Sequence, residues 1–69
     1  MEIAVDQILQ QGVAAHKAGN LQEAERLYNS ILKTQPTHPH VNHNLGLIAV
    51  SMGKVKAALP LFKAALDVN

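Results

Sequence analysis

The feature that most constrains this chain is an internal echo: the stretch Gly19–Leu32, GNLQEAERLYNSIL, returns 34 residues later as Gly53–Leu66, GKVKAALPLFKAAL. Sliding the sequence against itself by 34 superposes Gly12 on Gly46, Ala15 on Ala49, Gly19 on Gly53, Ala24 on Ala58, Leu27 on Leu61 and Leu32 on Leu66. Similar residues fill the gaps, with Leu21 opposite Val55, Tyr28 opposite Phe62 and Val13 opposite Leu47. A fixed period of this size marks a stacked-repeat architecture, in which each unit buries its apolar face against its neighbour.

The periodicity within each unit is helical. From about Ile3 to Ala18, Val5, Ile8, Gly12, Ala15 and Ala18 recur at spacings of three and four, which places them on one helix face. Glycine inside a helix is unfavourable by about 1 kcal/mol relative to alanine, so Gly12 and its echo Gly46 mark places where another helix approaches closely. Gly19 ends the first helix and Asn20 caps the second, whose stripe is Leu21, Ala24, Leu27, Tyr28, Ile31 and Leu32. Pro36 stops that helix. Pro39 suits the first turn of the third, with Thr37 or His38 as its cap. The third helix is expected to run to about Met52 with Leu45, Ile48, Ala49 and Met52 inward, and the fourth to turn Val55, Ala58, Leu61, Phe62, Ala65 and Leu66 inward. Pro60 conflicts with that fourth helix, which must start late or bend. The sum is an all-α chain of four antiparallel helices in one domain, residues 1–69, with a first unit of about 5–38 and a second of about 39–69.

Several function classes are excluded or left without support. A chain of 69 residues buries only about 60% of its unfolded surface, and with one Tyr and one Phe its core must be aliphatic. It has no cysteine, hence no disulfide, thiolate metal site or thiol nucleophile. A net charge of +1 with no basic cluster gives no footprint for nucleic acid or anionic lipid. Acids stand at the N-terminus where a signal peptide needs bases, and no apolar run is long enough to span a bilayer, so the expected location is the cytoplasm.

The spacing resembles the tetratricopeptide repeat over Val5–Asn69: Leu45-Gly46, Ala58 with Phe62, and in the first unit Gly12, Ala24 with Tyr28, and Pro36. Ile8 and Asn42 stand where that family favours Trp, and Ala15 and Ala49 where it favours Tyr. The stretch HKAGNLQEAERLYNSILKTQPTHPHVNHNLGLIAV is also similar to repeats that precede bacterial glycosyltransferase and sulfotransferase domains. The resemblance implies an α-solenoid of two helix-turn-helix repeats that binds a protein or peptide in a groove lined by the first helix of each unit. The alternative it leaves open is an N-terminal accessory segment of a larger transferase.

The candidate chemistry is sparse. His38, His40 and His43 lie within six residues, with His16 further back, but no Asp, Glu or Cys beside them completes a zinc ligand set, so no metal or other cofactor is expected. Protonating all four histidines would take the formal charge from +1 to +5. Gly46 to Lys54 fails as a phosphate loop: six residues separate its glycines where the motif has four, and Val55 follows Lys54 where it needs Ser or Thr. No serine or threonine stands in a nucleophile motif, and an enzyme is not expected. Some tetratricopeptide modules hold a peptide's C-terminal carboxylate with Asn and basic residues from three units; Asn44 matches one such position, whereas Leu9 and Val13 occupy others. The expected groove is therefore a mixed surface of Gln10, Val13, Lys17, His40, His43, Asn44, Leu47 and Ser51.

The fourth helix carries Leu59, Leu61, Phe62, Leu66 and Val68, more apolar residues than one face can turn inward, and no polar helix follows it in the sequence. Its twin has Glu25 in place of Leu59 and Arg26 in place of Pro60. Repeat arrays cover their last unit, so the sequence predicts self-association of this chain through those residues, end to end or by helix exchange.

Overall fold

The computed structural model describes residues 4–67. They form four helices, α1 (Val5–Lys17), α2 (Leu21–Leu32), α3 (Pro39–Ser51) and α4 (Val55–Leu66), and no strand among the described residues. Each boundary of the second hairpin stands 34 residues after its counterpart in the first. The assembly measures 37 × 30 × 15 Å, and its helices pack as α1 on α2, α2 on α3 and α3 on α4.

Both hairpins close with the same turn. Gly19 and Gly53 adopt φ of 81° and 76°, a left-handed conformation that costs glycine little. The chain then folds back far enough for Asn20 N–H to donate to the Ala15 carbonyl at 2.9 Å, and Lys54 N–H to the Ala49 carbonyl at 2.7 Å. These bonds satisfy carbonyls that a helix terminus would otherwise leave unpaired. The two turns part company at the next helix start. Asn20 Oδ1 accepts from Glu23 N–H at 3.4 Å, whereas Lys54 has no side chain that can cap α4.

Between the hairpins, His38 is the cap of α3: its Nδ1 accepts from Val41 N–H at 3.3 Å, and Pro39 occupies the first turn. Asn42, which the repeat pattern leaves as a departure, is buried here. Its Nδ2 donates to the carbonyls of Pro36 and His38, both at 3.1 Å, and so ties the connecting loop to α3. A Trp at this position could not satisfy both carbonyls.

The core lies where the hairpins meet, among Ala24, Tyr28 and Ile31 of α2 and Val41, Leu45 and Ile48 of α3. Each helical glycine admits an aromatic ring. A Cβ on Gly12 would stand 2.5 Å from Tyr28 Cε1, and one on Gly46 would stand 2.5 Å from Phe62 Cε1.

Four residues expected inward are not. Ala18 and Met52 are the C-caps of α1 and α3, one residue past the helical face, and both are exposed. Val55 and Leu66, the first and last residues of α4, are 56% and 78% exposed because α3 covers only the Ala58 side of that helix. In the first hairpin the residues equivalent to the start of α3 are Val5, Ile8 and Leu9, which pack against the core together with Leu21 and Leu32. In the second, Pro39, Asn42 and His43 stand there, beside the Leu66 end of α4. Pro60 neither delays nor interrupts α4, which runs unbroken from Val55. The missing N–H would have paired with the Lys56 carbonyl, and both residues are exposed, so water can take that bond. Of the apolar residues expected to mediate self-association, Leu59 and Leu66 are exposed, Leu61 and Phe62 are half-buried against the rest of the molecule, and Val68 lies outside the described residues.

Candidate functional site

A depression of about 440 Å³ opens between the hairpins. Val13, His16 and Lys17 line it from α1, and Asn44 and Leu47 line it from α3. Spacings of three and four bring each group to one side of its helix, and Tyr28 of α2 forms the floor. The tyrosine reaches that position because Gly12 lets its ring lie against the α1 backbone.

The floor is fixed by one hydrogen bond across the hairpins, with Asn44 Nδ2 donating to Tyr28 Oη at 3.4 Å. Burial pushes the Tyr28 phenol above its ordinary pKa, and the Asn44 donor opposes that shift in part. The phenol therefore keeps its proton and remains a neutral, polarised group. The polar groups around the depression are the Lys17 ammonium, which only donates, and the Asn44 amide and His16 ring, which can donate and accept. Its apolar walls are Val13 and Leu47, and no carboxylate among the described residues lines it.

Of the residues the sequence nominates for a groove, Val13, Lys17, Asn44 and Leu47 come together here. The other four do not. Gln10 is exposed on α1 and does not line the depression. His40 is exposed with its ring centroid 6.0 Å from that of His38, and His43 packs its ring 5.7 Å from Phe62 on the α4 side. Ser51 Oγ donates to the Leu47 carbonyl at 3.1 Å, a bond internal to its own helix. Two lining residues escape the sequence reading. His16 sits three residues after Val13 and could have been found by that spacing, whereas Tyr28 carries the signature of a core residue and is in fact buried, reaching the floor of the site because Gly12 admits its ring.

Among the described residues no group of three His, Cys, Asp or Glu side chains is placed to hold a metal ion. No helix among them is long and apolar enough to cross a membrane.

Two stacked helical hairpins with a ligand-sized depression between their first helices define an all-α helical repeat. A family model described as tetratricopeptide repeat matches residues 15–69, and the chain belongs to that family. Repeats of this kind generally mediate protein–protein interaction. No curated protein and no solved structure matches the chain.

Proposed function

We propose that the chain is a non-catalytic docking module that holds a short peptide segment across the depression between α1 and α3. An aliphatic side chain of the peptide fits between Val13 and Leu47, and a neighbouring carboxylate faces Lys17 and the Asn44 amide. The observation that carries this reading is the lining itself: two apolar walls, donors and a cation between them, and no acid among the described residues to repel a carboxylate. The floor is preorganised by the Asn44–Tyr28 bond, which limits the entropy lost on binding.

The test is an array of immobilised short peptides in which a leucine is followed by Glu, Gln or Lys. Retention of the Leu-Glu form is expected to exceed that of the others and to fall by about tenfold in Leu47→Asp and in Lys17→Glu, with unchanged helicity. Because Tyr28 is the sole tyrosine, its fluorescence reports occupancy of the depression without a label. Retention that ignores both substitutions, or binding that leaves the tyrosine signal unmoved, places the contact elsewhere.

A further inference from the structure

Histidine is the side chain whose charge ordinarily changes between about pH 5 and 8, and this chain has four. The fold disperses them. His38 uses its Nδ1 lone pair to cap α3, His40 lies beside His38, and His43 packs on Phe62 of α4. Of the four, His16 alone lines the depression.

The surroundings of that ring hold no acid that would compete with a ligand. His16 is half-buried in the last turn of α1, where the helix dipole favours a cation, and Lys17 stands beside it. Asp6, the acid of α1, lies ten residues earlier, about 15 Å along the helix. From α2 comes Tyr28, whose phenol burial keeps protonated; Glu23 is engaged by Arg26, and neither Glu23 nor Glu25 lines the depression. From α3 come Asn44 and Leu47, which do not titrate, and the Gly19-Asn20 turn carries no ionisable side chain.

Protonation changes what this wall offers. A neutral imidazole presents one donor and one acceptor, and the acceptor lone pair repels an incoming carboxylate. The imidazolium presents two donors and sets a second positive charge beside Lys17. A glutamate side chain stays ionised down to about pH 5, so the carboxylate of a ligand keeps its charge while His16 gains one. A ligand that favours the protonated ring must, by linkage, draw a proton onto it.

We infer, on the peptide reading of the depression, that the site is gated by pH: His16 takes up a proton when an acidic peptide binds, and affinity rises as the pH falls from about 7.5 to 5.5. His40 and His43, which the sequence nominates for the groove, take no part.

The test titrates the full 69-residue chain with a Leu-Glu peptide blocked at both ends, so that the glutamate is its sole ionisable group, and with the Leu-Gln counterpart. Tyr28 fluorescence reads the binding. Affinity for the Leu-Glu form is expected to rise about threefold from about pH 7.5 to 5.5, the size of a half-exposed ion pair, and affinity for the Leu-Gln form to stay level. His16→Gln should abolish the rise, and His40→Gln with His43→Gln should keep it; circular dichroism at both ends of the range checks that the variants stay folded. In the unsubstituted chain, the midpoint of the His16 ring-proton titration by NMR should move up on adding the Leu-Glu peptide, with His40 and His43 unmoved. A level affinity, a rise that survives His16→Gln, or a His16 midpoint that the peptide leaves in place overturns the gate while the peptide reading stands. A rise that His40→Gln with His43→Gln removes, or an equal rise for the Leu-Gln form, also overturns it, in favour of a general effect of net charge or of folding. Binding of neither peptide at any pH overturns both readings.

Discussion

At the scale of single residues, the two helical glycines do the same geometric work under different constraints. A Cβ on Gly12 would meet three atoms of the Tyr28 ring at 2.5 to 3.1 Å, and Tyr28 is fully buried, with its hydroxyl bound by Asn44. The ring has nowhere to go. A Cβ on Gly46 meets Phe62 as closely, but that ring is half-buried and its outer edge faces solvent. Overpacking costs about 1–3 kcal/mol, and replacing a helical glycine by alanine returns about 1 kcal/mol of helix propensity. Gly12→Ala is therefore expected to destabilise by about 1–2 kcal/mol, whereas Gly46→Ala should lie within about 1 kcal/mol of the parent. Urea unfolding followed by circular dichroism separates them. A Gly46→Ala loss as large as that of Gly12→Ala would mean that Phe62 is as tightly held as Tyr28.

At the scale of elements, α2 and α4 are twins that differ in their ends and outer faces. Asn20 caps α2 through its side chain, and Glu23 adds an acid in the first turn, where the helix dipole favours it and where Arg26 holds its carboxyl below the usual carboxylate range through their hydrogen bond. α4 begins at Lys54 with no side-chain cap and no acid in its first turn. Lys54→Asn at the same backbone position is expected to stabilise the chain by about 0.5–1 kcal/mol, read as a rise in the urea midpoint at unchanged slope. No rise would mean that the start of α4 does not limit stability. The helix ends were legible because Gly19, Gly53 and Pro39 act through local backbone geometry, which a sequence displays directly. The cap of α3 was legible only to within one residue: Thr37 and His38 both stood as candidates, and His38 takes the role through its ring nitrogen. Burial on α4 was not: Val55 and Leu66 keep helical spacing with Ala58, yet both are exposed, because the helix that faces α4 covers only the Ala58 side, and helical spacing within α4 does not display that. The depression was half legible. Val13, Lys17, Asn44 and Leu47 accord with helix periodicity, but the part played by Tyr28 arises from a side chain crossing between hairpins, which no local pattern encodes.

At the scale of the whole molecule, stability is concentrated at one junction. Two hairpins of this length cannot each enclose a core, and the largest fully buried side chains, Tyr28, Ile31, Val41 and Ile48, all lie where α2 meets α3. Leu27, 8% exposed on α2, belongs to the buried core, whereas its equivalent Leu61 is only half-buried on α4, against which no further element of the described residues packs. Truncating a buried leucine to alanine costs about 2–5 kcal/mol, and a domain of this size holds only about 3–10 kcal/mol in total at 0.05–0.15 kcal/mol per residue. Leu27→Ala is thus expected to unfold a large fraction of the molecule at room temperature, with both hairpins lost together because neither has a core without the other. Leu61→Ala should cost no more than about half as much, since a half-exposed side chain leaves a smaller cavity and less transfer free energy behind. Thermal melts at 222 nm on the two variants make the comparison. Equal losses would place the stabilising core across both ends of the stack instead of at the junction of α2 and α3. A Leu27→Ala melt in two steps would mean that the hairpins fold as separate units, contrary to the single core that the burial pattern describes.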